Sequence, residues 1–417
     1  MRWVAYVLVP LAIGISQGQT PPQAPAPEDP IKTIVGRLDL EKYKATIKGL
    51  TQFGDRRQGT ARNRAALDWI EAQLKSYGCA PERISYTFTP RGRGERGGGE
   101  PGAEAGREGG GQRGAGGGGR GATDPTQGQG GSRIRGTQAR KPVNNSAEAQ
   151  PDPKLRELNT EQTPAGPGPR QDVYCTKVGT THPEEMYIVG GHMDGIGWGE
   201  AANDDGSGTA LVMELARVFS SPDVLTERSI RFALWNNEES GTSGAGAYVE
   251  QRRDLQGKED PPGSGKFPEP KWLGMIQHDM MLFDHGMPNP DGTLPKEQRR
   301  EADVNIEFAK TSKFADGAQA LAWVFHAANE KYATDYPASV GPHMTNTDSG
   351  RFQDVVPAIS LRENERGAQI GGGWDPNWHQ PTDLYSTYSD KDFRLGLNAA
   401  QTTLGAVAQL SGATLKK

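Results

Sequence analysis

Apolar positions in the second half of the chain alternate between short continuous runs and stretches of helical spacing. Met186–Gly190, Ile230–Trp235, Leu273–Leu282 and Ala358–Leu361 read as buried strands. Gly208–Val218, Gly244–Gln251, Ala318–Lys331 and Asp392–Leu410 read as helices between and after them. Upstream, Lys32–Phe53 and Ala61–Tyr77 carry helical spacing, the second with Ala65, Ala66, Trp69, Ile70 and Leu74 on its apolar face and Gly78 where a helix would stop. Ile84–Phe88 alternates as a strand, and Asp172–Lys177 reads as another. Strands alternating with helices imply a largely parallel sheet covered on both faces. The predicted fold class is therefore α/β, a three-layer α/β/α sandwich with a mostly parallel central sheet. In such folds chemistry sits beyond the carboxyl ends of the strands.

Three stretches depart from this pattern. Residues 1–18 carry Arg2, the apolar run Trp3–Ile15 and the small residues Ser16 and Gly18, the layout of a secretory signal peptide. The run is shorter than the ~20 residues a bilayer needs and contains Pro10, so the expectation is a secreted or periplasmic protein without stable membrane insertion after cleavage. Residues 19–30 form a proline-rich tether. From 91 to 170 the composition collapses to Gly, Arg, Gln, Pro and Glu, with four glycines at 116–119, and predicts a disordered insertion. It interrupts one domain, 31–412, between two neighbouring strands. A second Pro/Gly-rich stretch, 254–271, reads equally as a rim or lid of the site and as a plain surface loop.

Arg-Gly runs occur in nucleic-acid-binding segments, but the interleaved glutamates, the lack of aromatics and a formal net charge of −5 argue against a nucleic-acid partner. Losing Arg2 with the leader would take that charge to −6. Only Cys79 and Cys175 are present, flanking the insertion. A disulfide and two separate buried thiols are both consistent with that placement.

Candidate chemistry gathers where the strands end. His192 follows the run to Val189, and Asp194 stands two residues on, placed to fix the imidazole tautomer. Asn203, Asp204 and Asp205 precede Gly206-Ser207-Gly208 at a helix start, where an aspartate is also a common cap. Glu238 and Glu239 follow Ile230–Trp235 and precede a glycine-rich turn. Asp279 lies within the apolar run Leu273–Leu282, and a buried aspartate needs a partner such as a cation. Its neighbour His278 points to the other sheet face by the period of two and reads as a packing residue. His379 comes last, with Asp383 four residues later. Histidines and carboxylates are zinc ligands, and one carboxylate left over can act as a base. The set reads as a two-metal hydrolase site.

In this order the motifs resemble the secreted co-catalytic zinc aminopeptidases, a zinc-exopeptidase family whose relatives include glutamate carboxypeptidases and glutaminyl cyclases. The resemblance covers roughly 35–90 and 170–412. It rests on His192-x-Asp194, Asn203–Gly208, Glu238-Glu239, Asp279 and His379-x-x-x-Asp383. It implies two zinc ions, with Asp204 bridging them, His192 and Asp279 completing one site, and Glu239 and His379 the other. Glu238 would be the general base and peptides the substrates; Asp194, as the residue that orients His192, is counted with Glu238 as catalytic. Two departures stand out. Thr347-Asp348-Ser349-Gly350-Arg351-Phe352 replaces the family's usual Ser-Asp-His-x-x-Phe, and Trp378 stands where a tyrosine is frequent. A single-zinc glutaminyl cyclase, a carboxypeptidase and a catalytically inactive binding ectodomain are the alternatives on this scaffold. Arg351, Arg362 and Arg366 are the candidates for holding a substrate carboxylate, should the enzyme cut from that end. Oligomeric state is not legible.

Overall fold

The computed structural model describes residues 29–90, 142–160, 166–285, 293, 295–342, 344, 347–363 and 375–416. The expected leader, most of the tether and residues 91–141 of the expected insertion lie outside the described residues, as does Arg366. In chain order the elements are α1 Pro30–Val35, α2 Leu40–Thr51, α3 Ala61–Ser76, β1 Pro81–Phe88, α4 Pro153–Leu158, β2 Gly168–Lys177, β3 His182–His192, α5 Gly206–Phe219, β4 Val224–Leu225 and β5 Arg228–Trp235. There follow α6 Ser243–Arg252, β6 Lys271–His278, β7 Val304–Phe308, α7 Ala315–Tyr332, β8 Ala338–Gly341, β9 Ala358–Arg362, α8 Asp390–Ser411 and β10 Thr414–Leu415.

The main sheet has eight strands in the order β1-β2-β5-β3-β6-β9-β7-β8. Its centre, β5-β3-β6-β9, is parallel throughout, and antiparallel pairs join β1 to β2, β2 to β5 and β9 to β7. Side chains of β5 show how the layers form. Ile230, Phe232 and Leu234 enter a core shared with α1, α2, α3, α5, α7 and α8, while Ala233 and Trp235 face a second core with Tyr248 of α6, Trp272 and Phe352. Each fully buried side chain of this size contributes roughly 1.5–3 kcal/mol of transfer free energy. The register pairs His192 with Trp235, Gly191 with His278, and His278 with Leu361. The carboxyl ends of four parallel strands therefore lie side by side, and that row is where the candidate residues emerge.

Several expectations are corrected. The single helix over Lys32–Phe53 is two helices, because the Asp39 side chain accepts hydrogen bonds from Glu41 N and Lys42 N and so caps a new start at Leu40. The strand over Leu273–Leu282 ends at His278, since Met280 takes a left-handed φ of 60°, and Asp279 stands just past the strand. The apolar pattern does not disclose strands β7 and β8, and the polar alternates of β7, Asn305 and Glu307, are buried. The loop 254–271 leads into the start of β6, at the sheet end opposite His192, so it is not a lid of that site. Part of the expected disordered insertion is folded: 142–160 holds a short helix and two fully buried side chains, and β2 begins at Gly168. Among the described residues no helix is long and apolar enough to cross a membrane.

Cys79 and Cys175 form a disulfide spanning 96 residues of sequence. It fastens the end of α3 to β2 and closes the loop that contains the insertion. Replacing both cysteines by serine is expected to lower unfolding free energy by about 2–5 kcal/mol, read from denaturant midpoints. Unchanged midpoints would show that the bridge is no staple.

Candidate metal centre

His192 ends β3 and is 1 % exposed. Its Nδ1 lies 3.1 Å from the backbone oxygen of Asp194, which directs Nε2 toward Asp204 Oδ1 at 3.2 Å and Asp279 Oδ1 at 3.8 Å. The expectation that the Asp194 carboxylate fixes the tautomer is therefore corrected, because that carboxylate is 3.8 Å away and the peptide oxygen does the work. Asp194 Oδ1 instead accepts from Glu238 N at 3.1 Å, tying the turn after β5 to the turn after β3.

His379 approaches Asp204 from the other side. Its Nε2 is 3.0 Å from Asp204 Oδ2 and 2.7 Å from Glu239 Oε2, and the Trp378 ring stacks on the imidazole with centroids 3.6 Å apart. The backbone is bent to reach this arrangement, with φ of 54° at His379 and 65° at Asn237. The Glu238–Glu239 turn is closed by Gly241 N and Thr242 N, both donating to Glu238 O. Asp204 thus offers one oxygen to each imidazole. Two groups result, His192–Asp204–Asp279 and Asp204–Glu239–His379, and the ligand atoms of each lie within 4.8 Å of one another.

The loop between β3 and α5 is locked by residues that the sequence left in minor roles. Asp205 caps α5 through Gly208 N, as its position suggested, but it also accepts from His192 N at 3.0 Å and Met280 N at 3.2 Å, joining three site segments. Asp383 accepts from Asn203 N and Asp204 N. Arg362, fully buried at the end of β9, places Nη1 3.0 Å from Asp279 Oδ2 and Nε 3.3 Å from Glu307 Oε2. It braces a candidate ligand from behind. Arg351 donates to Thr242 Oγ1 and Gly241 O. His278 is no ligand: its nitrogens face Gly190 O and Thr403 Oγ1, and burial lowers it to about 4. A strand-end position was the available signal for Arg362, and capping position for Asp205.

Crowding of carboxylates sets the electrostatics. Burial pushes the Glu238 carboxyl well above the usual carboxylate range, with Asp348, Glu239 and Asp279 adding to the rise and His192 opposing it. Burial likewise takes Glu239 up to about 7 and Asp348 up to about 8. His379 rises to about 9, since Glu239 and Asp204 outweigh its own burial. Asp204 is lowered, because contact with both imidazoles overcomes its desolvation. So many carboxyls in one buried place repel each other unless positive charge lies among them. Among the described residues, Glu239 Oε1 and His379 Nδ1 are buried with no hydrogen-bond partner. One imidazole and two carboxylates per group is a donor set that zinc accepts. The residues fit the metal.

The model of Peptidase family M28 matches residues 172–401, more than half of the chain and all of the candidate ligands. The chain is 40% identical over 251 residues to the probable lipoprotein aminopeptidase LpqL of Mycobacterium tuberculosis, covering 55% of this chain and 43% of that protein. It is 36% identical over 85 residues to carboxypeptidase Q of Xenopus laevis, covering 20% of this chain and 18% of that protein. Both alignments span less than half the length of the relative. Among solved structures, a zinc aminopeptidase from Bacillus subtilis superposes with a TM-score of 0.55 at 14% identity, covering 91% of this chain and 96% of that one, a likeness of fold. The extent of the family match and the shared architecture lead to one assignment: this chain belongs to Peptidase family M28.

Proposed function

We propose that this chain is an aminopeptidase that works with two zinc ions and uses Glu238 as general base. The observation that carries the reading is Asp204, whose two oxygens meet two different imidazoles, with Asp279 completing one group and Glu239 the other. Bound there, zinc would acidify a water molecule and draw charge from the scissile carbonyl. Glu238 belongs to neither ligand group and is held at the same strand end by Asp194. It takes a proton from the attacking water as the new C–O bond forms, and returns it to the leaving nitrogen as the C–N bond breaks. Adjacent glutamates thereby divide the work: Glu239 faces His379, and Glu238 faces the reaction. Asp194 is a positioning residue, since it acts through His192 and Glu238. The Cys79–Cys175 bridge suits an oxidising compartment, in keeping with a secreted or periplasmic enzyme.

The charges at the site support cutting from the amino terminus. A Glu238 that serves as base is a carboxylate beyond those that would face the ions, and Asp194 stands beside it, so a cationic amino terminus is better matched than a carboxylate. Arg362 is fully buried beneath Asp279, and Arg351 is engaged by Thr242 and Gly241. Neither is presented as a clamp for a substrate carboxylate. N-acetylation of a peptide substrate is expected to lower kcat/KM on the order of 10²-fold or more, and C-amidation to leave it within about threefold, less than one hydrogen bond to a charged group is worth. Hydrolysis of the free, acetylated and amidated forms side by side checks this, and the reverse pattern would make the enzyme a carboxypeptidase.

A further inference from the structure

The loop carrying His379 is packed backbone to backbone against the loop that follows Asp194. A Cβ on Gly197 would meet the His379 carbonyl carbon at 2.4 Å, and one on Gly199 would meet Gln380 O at 2.8 Å and Asp383 O at 2.9 Å. Gly197, Trp198, Ala201 and His379 all have positive φ. Chain bent this way turns carbonyls aside from any strand ladder, and each buried one needs a donor from elsewhere.

Arg56 supplies donors to Glu200 O and Ala201 O, and residues 142–160 supply them to Trp198 O, Gly199 O and Pro381 O. The Gln150 amide gives one hydrogen bond to Trp198 O at 2.7 Å and one to Pro381 O at 3.1 Å, bridging the two loops with a single side chain. Asn159 donates to Gly199 O at 2.9 Å and accepts from Asp55 N at 3.1 Å. Asn144 N donates to His379 O at 3.0 Å, its side chain reaches Gly197 O at 3.3 Å, and Gln380 Nε2 returns a bond to Pro142 O at 2.9 Å. Gln150 is 1 % exposed and Asn159 is fully buried, yet neither helical turn of the segment buries a residue. The segment is therefore attached by polar anchors and adds little to the apolar core.

We propose that residues 142–160 are a strap that sets the position of His379, with Gln150 and Asn159 as its positioning residues. The inference rests on the two-zinc reading of the site. Loosening the strap lets His379 move relative to Asp204 and Glu239, while His192 and Asp279, fixed at the ends of β3 and β6, stay in place. One of the two ions is then affected and the other is not.

The test is zinc affinity by chelator competition on wild type, Gln150→Met and Asn144→Ala, with His379→Ala identifying the step that belongs to that side. Gln150→Met is expected to weaken that step about 10–100-fold, the range for partners that orient a metal ligand, and to leave the other within about twofold, near the error of such affinities. Asn144→Ala, at a half-buried position, should weaken the same step about threefold, one modest hydrogen bond's worth, so the proposal survives a Gln150 variant that does not fold. A deletion pair adds an independent arm. Removing 95–139 should leave both steps unchanged, whereas removing 95–165 should abolish the His379 step. Affinities unchanged in all variants, or an equal loss at both steps, would overturn the strap. Should wild type bind only one ion, the two-zinc reading fails separately. Hydrogen exchange of peptide 376–384 in metal-free protein then decides the strap, with faster exchange in Gln150→Met expected and an unchanged rate overturning it.

Discussion

Glu238→Gln is expected to lower kcat by about 10²–10⁴-fold while leaving zinc content at the wild-type level. The side chain is buried beside the candidate ligands but belongs to neither of their groups, so an amide of the same shape removes a proton acceptor and no ligand. Its backbone bond to Asp194 does not involve the substituted atoms and should persist. Glu239→Gln is the matched control one residue away. It removes a charged oxygen 2.7 Å from His379 Nε2 and should lose zinc from that side. Turnover assayed beside metal analysis separates the two, and equal metal loss in both variants would show that the division of roles is wrong.

Asp204→Asn should have the largest effect on metal. Both oxygens of Asp204 are used, at 3.2 Å from His192 and 3.0 Å from His379, and the substitution removes the one charge common to both groups. Affinity for both ions should fall by more than the ~10–100-fold that attends loss of an outer partner. Stability supplies a second readout, because a ligand at 100 times its Kd adds about 2.7 kcal/mol. Added zinc should raise the melting temperature of wild type and leave that of Asp204→Asn nearly unchanged. A variant that keeps one ion at wild-type affinity would mean that Asp204 does not bridge.

How much could be read in advance depended on where each residue sits. Ligand types placed at the ends of apolar runs, His192 and Glu239, are legible because a parallel sheet gathers strand ends into one row, and Asp279 is legible as a carboxylate inside an apolar run. The turn after β6 was misplaced because the left-handed position falls on Met280, a residue whose identity carries no turn signal. The tautomer contact was assigned to the wrong atom of Asp194, since sequence spacing cannot tell a carboxylate from the peptide oxygen beside it. The disulfide stayed open because pairing depends on where α3 and β2 end in space. Residues 142–160 looked like the rest of a polar insertion for a physical reason. Their anchors are amides such as Gln150 and Asn159, whose value lies in buried carbonyls contributed by loops about 50 and 230 residues away in sequence, and no periodicity announces such bonds.

Zinc counted per chain tests the central claim most directly. Protein saturated with zinc, freed of excess by gel filtration and analysed for metal against a measured protein concentration should hold two ions, falling to about one in Glu239→Gln and in His379→Ala. A content of one in wild type, unchanged in both variants, would contradict the two-zinc site and the bridging role of Asp204.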